Sequence, residues 1–225
     1  MSAIIHGSPL SPFTRKVTLV AMEKAIPFES KDINPYRPPD YFTSISPLRR
    51  IPVLEDGDFI LSDSSAISAY LDASFPGSNG SLFPTPPKAL GYVLWIEEYA
   101  DTALFNDISE GVFRPILINK MLGKPIDSDK VEEAVTKKLP ERFEYLENEI
   151  AGKEFFSEDR VTLADISVYA QLANLDHAGQ LSQLKAYPGL MDHYSHMKAR
   201  ETSKALQALE TQYLDYIMSQ LKPSS

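Results

Sequence analysis

The 225-residue sequence predicts a small α/β domain followed by an all-α helical domain. Three observations carry that prediction. In the first third, short apolar runs alternate with helical patterns in the order β-α-β-α-β-β-α. Proline and glycine then break both periodicities across 75–87, Phe-Pro-Gly-Ser-Asn-Gly-Ser-Leu-Phe-Pro-Thr-Pro-Pro. Beyond that break every long pattern is helical. The expected boundaries are 1–76 for the first domain, 77–87 for a linker and 88–225 for the helical domain.

Each element has a local reason. Ile4-Ile5-His6 is a short apolar run ended by Gly7-Ser8-Pro9, a strand and then a loop. Ser11 stands as an N-cap with Pro12 at the first helical position. Phe13, Val17, Val20 and Ala21 recur at helical spacing to about Lys24, and Pro27 stops the helix. Phe28 to Ile33 form a second strand, and the proline-rich 35–39 leads to a short helix over 40–45. Ile51 to Leu54 and Phe59 to Leu61 are strands joined by Glu55-Asp56-Gly57-Asp58, a hairpin signal. Residues 64–74 return to helix, with Ile67, Tyr70 and Leu71 on one face.

Further helices are expected over about 88–121, 127–151, 162–177 and 187–219. In the third, Val161-Thr162-Leu163-Ala164-Asp165-Ile166 is a capping box with a hydrophobic staple. Thr162 caps the helix, Asp165 reaches back to the Thr162 N–H, and Val161 packs on Ile166. Each half of such a cap stabilises by ~1 kcal/mol, a folding role.

Composition narrows the function. With 43% hydrophobic and 24% charged residues the chain is globular. It has no cysteine, which excludes disulfides, thiolate metal sites and a protein cysteine nucleophile. The net charge of −9 argues against nucleic acid or an anionic membrane as main partner. Residues 1–75 carry only −2 of it, so an anionic ligand is better tolerated there, where Arg15, Lys16, Arg37, Arg49 and Arg50 occur. No run of about 18 apolar residues exists, and the start lacks the charged n-region and apolar core of a signal peptide. A soluble, cytoplasmic protein is expected. His193 and His196 lie three apart without a third ligand in view, so they read as ordinary surface histidines and no metal is expected. No nucleotide-binding glycine loop is present.

Three segments carry chemistry: Ser11-Pro12-Phe13-Thr14-Arg15-Lys16-Val17, Arg50-Ile51-Pro52-Val53-Leu54 and Leu61-Ser62-Asp63-Ser64-Ser65-Ala66-Ile67. With the Thr162–Asp165 box and Tyr187-Pro188-Gly189-Leu190, they resemble, over nearly the whole chain, the cytosolic glutathione transferase superfamily. The resemblance is to serine-type members, bacterial-like or tau-, theta- or zeta-like. The absence of cysteine sets the chain apart from the omega and beta classes. The resemblance implies a thioredoxin-like first domain, glutathione as co-substrate with no tightly bound cofactor, and a homodimer joined through both domains. It implies detoxification by conjugation of glutathione to a small, largely hydrophobic electrophile.

The same resemblance assigns the residues. The Ile51 backbone would pair antiparallel with the cysteinyl unit, as an added strand, which requires Pro52 to be cis. Ser64 and the helix N–H groups beside it suit the γ-glutamyl carboxylate. Asp63 would take the ammonium; the family more usually has Glu there, so the reach is shorter. Read without the family, Asp63 or Ser64 is simply a helix cap. Arg37 and Arg50 are candidates for the glycyl carboxylate, which a guanidinium holds bidentately.

Ser11 matches the family's catalytic serine. A free thiol has a pKa near 8.5, and Ser11 would stabilise the thiolate with a hydroxyl and a helix-dipole end without deprotonating it. Ser8 and Thr14 are fallback hydroxyls, and a plain N-cap is the other reading of Ser11. Pro9, Phe13, Phe105, Phe113 and Ile116 would wall the electrophile, although aromatics at helical spacing also build cores. Asp101 would reach the glutathione amine of a neighbouring subunit, or equally stand as an exposed acid in an acidic helix. Two other functions remain open. One is a glutathione-dependent peroxidase or isomerase, although the zeta-type Ser-Ser-Cys-Ser run is replaced by Ser11-Pro12-Phe13-Thr14. The other is a non-catalytic interaction protein, against which Arg50, Ile51, Pro52, Asp63 and Ser64 weigh.

Overall fold

A computed structural model describes residues 3–75 and 80–220. Strand β1 (Ala3–Gly7) lies parallel to β2 (Phe28–Asp32) and antiparallel to β3 (Val53–Asp56), which is antiparallel to β4 (Phe59–Ser62). The order across the sheet is β2-β1-β3-β4. A parallel pair needs a crossover, and α1 (Pro12–Glu23) supplies it. Helices α2 (Phe42–Ile45) and α3 (Ser64–Ser74) complete the expected β-α-β-α-β-β-α order, a thioredoxin-like arrangement. Alternation along the strands divides the core: Ile5 and Leu54 join Val17, Val20, Ile67 and Leu71, while Val53 packs with Ile33 and Phe42 on the other face.

The helical domain follows. α4 (87–121) opens as Pro87–Tyr99, winds more widely over Ala100–Leu104 and Asn106–Ile118, and ends as Asn119–Met121. In the wide part the N–H groups of Phe105 and Asn119 reach carbonyls five residues back, on Ala100 and Arg114. Then come α5 (128–150), α6 (Leu163–His177), a 3₁₀ turn over Leu181–Ala186 that the periodicity does not announce, α7 (Pro188–Ala199) and α8 (Glu201–Gln220). The single helix expected over 187–219 is two helices, broken at Arg200, whose ψ of 145° is extended. Its guanidinium instead grips Glu23 through Nε (3.0 Å) and Nη2 (2.6 Å). Residues 77–79 of the expected linker lie outside the described residues.

The capping box is present: the Thr162 N–H donates to Asp165 Oδ2 at 2.8 Å. The other oxygen of Asp165 accepts from the Phe156 N–H (2.9 Å) and pairs with His193 Nε2 (3.1 Å). His193 is therefore not a surface histidine: it is 3% exposed and locked to the cap. His196 pairs with Glu154 at 3.1 Å.

Helix α1 lies between the sheet and the second domain, and one continuous apolar core runs from Ala3 to Leu206. The expectation that Arg15 and Lys16 favour an anionic ligand fails for this reason. They are 1% and 0% exposed, and both are already paired. Arg15 donates through Nε to Glu210 (2.7 Å), and through Nη1 to the Ala170 carbonyl (2.6 Å) and Asn174 Oδ1 (2.9 Å). Against the upward push of its burial, Arg15 and His177 hold the Glu210 carboxyl below the usual carboxylate range. Lys16 Nζ donates to Glu97 Oε1 (2.6 Å), Asp101 Oδ2 (2.5 Å) and Ser65 Oγ (3.2 Å). An unpaired buried charge is far costlier than a paired one, so these contacts fix how the domains meet. Asp101 is thus held by its own chain through Oδ2 and is not an exposed acid. Burial pushes its carboxyl up to about 6, with Lys16 opposing and Glu97 adding to the rise.

Two outcomes follow. Arg15→Leu leaves Glu210 buried without its guanidinium and should lower unfolding free energy in urea by about 3–5 kcal/mol; the double variant with Glu210→Leu should recover most of that. Because the Asp101 carboxyl is raised on folding, the folded state binds the extra proton between about pH 4 and 6. Wild-type stability should therefore fall relative to Asp101→Asn as pH rises through that window, read by urea unfolding at several pH values.

Candidate active site at the head of the first helix

The sheet register brings the three motif segments together. Ile5 faces Leu54 and His6 faces Val53, so the end of β1 at Gly7 lies by the start of β3. Val53 in turn faces Ser62, the last residue of β4 and the one before Asp63. The loop entering α1, the Ile51–Pro52 turn and the start of α3 therefore share one edge of the sheet. The Ile51–Pro52 bond is cis, as the resemblance implies.

Ser11 caps α1: its backbone is extended and its Oγ accepts from the Thr14 N–H at 3.4 Å. That bond is long, and it uses a lone pair, leaving the hydroxyl proton to donate elsewhere. The Ser11 N–H donates to the Ser8 carbonyl (3.0 Å), closing the turn. Of the fallback hydroxyls, Thr14 is buried with its Oγ1 against Gly7, leaving no room for a Cβ there, so it faces the strand. Ser8 is buried and hydrogen-bonded to Tyr213 of α8.

Asp63 sits at φ +83° and caps α3. Both the Ser65 and Ala66 N–H groups donate to its Oδ1, each at 3.0 Å. Asp63 thus caps α3 through Oδ1, and among the described residues Oδ2 takes no part in that cap. Ser64 is buried beside it. Arg37 and Arg50 are exposed, and neither guanidinium makes an ion pair among the described residues. The buried Ser46 hydroxyl clasps the Arg50 backbone, donating to its carbonyl (2.7 Å) and accepting from its N–H (3.0 Å).

Of the expected electrophile wall, Phe13 and Phe105 meet across the domain boundary with ring centroids 4.7 Å apart, and Pro9 is partly exposed. Phe113 is a correction: it is 4% exposed and belongs to the core, because its side of α4 packs inward. Ile116 also packs against that core.

Sequence reasoning missed Tyr213, which bonds Ser8 and Asp32 beside the Ser11 turn. Burial raises the Asp32 carboxyl and the Tyr213 phenol, and the charge of Asp32 adds to the rise of the phenol. A tyrosine some two hundred residues from the turn gives no local signal. Ser46 and Ser65 were equally silent, being serines in polar stretches.

Residues 5–79 match the family model for the glutathione S-transferase N-terminal domain, and residues 117–208 match that for the C-terminal domain. A wheat (Triticum aestivum) glutathione S-transferase is 30% identical over 206 residues, covering 90% of this chain and 92% of the relative. Glutathione S-transferase 3 of maize (Zea mays) is 28% identical over 165 residues, 72% of each chain. A glutathione S-transferase structure from Rhodospirillum rubrum F11 superposes with a TM-score of 0.83 at 23% identity, covering 91% of both chains. The shared order of motifs, the fold and these relatives lead to one conclusion: this chain belongs to the cytosolic glutathione transferase superfamily and is a glutathione transferase.

Proposed function

We propose that the protein conjugates glutathione to a small, largely hydrophobic electrophile, with Ser11 holding the thiol as thiolate. The observation that carries this reading is the register, which gathers the Ser11 turn, the cis Ile51–Pro52 backbone and the start of α3 at one sheet edge. Glutathione extended along that edge would pair its cysteinyl unit with the Ile51 backbone. Its γ-glutamyl carboxylate would lie at Ser64 and the N-terminus of α3, and its ammonium at Asp63 Oδ2. Arg50, its backbone held by Ser46, and Arg37 would take the glycyl carboxylate.

The thiol then lies at the head of α1. The Ser11 hydroxyl donates to the sulfur and the helix dipole favours its negative charge. The thiol proton leaves to solvent, and the thiolate attacks the electrophilic carbon, forming the C–S bond as the leaving group or π-electrons take the displaced pair. Each unit by which the thiol pKa is lowered needs ~1.4 kcal/mol of preference for the anion. Pro9 and the Phe13–Phe105 pair form an apolar wall for the electrophile. The reading includes a homodimer. Phe59 and Ile60 on β4 and Leu94 and Trp95 on α4 are exposed large apolar side chains, one pair on each domain.

The thiolate absorbance of bound glutathione against pH tests the mechanism. In wild type the thiol should ionise well below pH 8.5, and Ser11→Ala should move it up by about one unit and slow conjugation about tenfold. An unchanged thiol pKa with only ~1 kcal/mol of stability lost would make Ser11 a cap alone. Arg50→Ala should weaken glutathione binding about tenfold or more by calorimetry, the loss expected for a charge-assisted bond.

A further inference from the structure

The buried cluster around Lys16 ends at the glutathione side of the molecule, not only at the domain boundary. Lys16 Nζ has three N–H donors, and the structure gives each an acceptor: Glu97 (2.6 Å), Asp101 (2.5 Å) and Ser65 Oγ (3.2 Å). Ser65 Oγ in turn donates to Glu97 Oε1. The Ser65 N–H donates to Asp63 Oδ1 at 3.0 Å. One residue in the first turn of α3 is thus fastened on one side to the cap and on the other to a cluster spanning α1 and α4. Its neighbours Asp63 and Ser64 are the residues placed at the γ-glutamyl group.

We infer that Lys16, Glu97 and Asp101 act through Ser65 as positioning residues for the γ-glutamyl subsite, setting the affinity for glutathione from inside the same subunit. The inference rests on the reading of this edge as a glutathione site. A flexible lysine would serve poorly as a strut, but this one is fully buried with every donor engaged, so it has one position. Glu97 is also buried, and it accepts from both Lys16 and Ser65, so displacement of either moves the other. A cluster that only pinned the domains together would need Glu97 and Asp101 alone. The bonds to Ser65 carry it to the first turn of α3, where Ser64 is the residue proposed for the ligand carboxylate.

Ser65→Ala is the decisive variant, because it keeps both Lys16 ion pairs and the Asp63 cap. Glutathione affinity by calorimetry and the two Michaelis constants should be measured for wild type, Ser65→Ala, Glu97→Gln and Ser65→Thr, beside their melting temperatures and the pKa of the bound thiol. Ser65→Ala and Glu97→Gln should raise the Kd and KM for glutathione about tenfold, with the KM for the electrophile and the thiol pKa unchanged. Ser65→Thr, which keeps the hydroxyl, should restore most of the affinity. Variants that bind glutathione within twofold of wild type, whatever their melting temperatures, overturn the inference and leave the cluster an interdomain pin. A wild-type protein that fails to bind glutathione overturns the glutathione reading itself, and this inference with it.

Discussion

Everything in this molecule depends on a helix that carries a guanidinium and an ammonium into a place with no water. α1 would be an ordinary crossover helix if its outer face met solvent. Its outer face meets the helical domain instead, and Arg15 and Lys16 point into that contact. A charge taken out of water is tolerable only with partners at hydrogen-bond distance. The second domain therefore has few ways to sit. Glu210 and Asn174 must reach Arg15, and Glu97 and Asp101 must reach Lys16. Apolar burial supplies most of the driving force for the contact but is indifferent to small slides; the ion pairs are not.

That constraint carries over to the site. α8 runs against α1 in the opposite sense: Arg200 meets Glu23 at the end of α1, Glu210 meets Arg15 near its start, and Tyr213 meets Ser8 just before it. The turn that presents Ser11 is thus braced from the second domain, and so is the first turn of α3 through Ser65. The head of α1 and the first turn of α3 are held by one interface, which fixes their separation.

Local order was legible in the sequence wherever a short-range rule applied. Period-two and helical spacing gave the element order of the first domain, and Asp63 followed by Ser64–Ser74 was readable because capping and periodicity agreed there. Thr162 and Asp165 announced their box three residues apart. What failed was everything set by distant partners. Arg15 and Lys16 counted as charge that favours an anionic ligand, because the carboxylate that pairs with Arg15 stands 195 positions away. His193 looked exposed for the same reason, since nothing nearby says that Asp165 waits for it. The break at Arg200 interrupts an unbroken helical pattern because its guanidinium is needed on Glu23, a tertiary demand that outweighs local propensity.

The cap at Asp63 has one more consequence. Both of its bonds land on a single oxygen, so folding has already removed the freedom of that carboxylate before any ligand arrives. A long glutamate at this position would keep several rotamers and lose them on association, at a cost of about 0.5–1.5 kcal/mol. The shorter aspartate reaches less far but arrives already oriented. A site of this kind would trade breadth of contact for readiness, and would admit a peptide ammonium only along the one direction in which the second oxygen points.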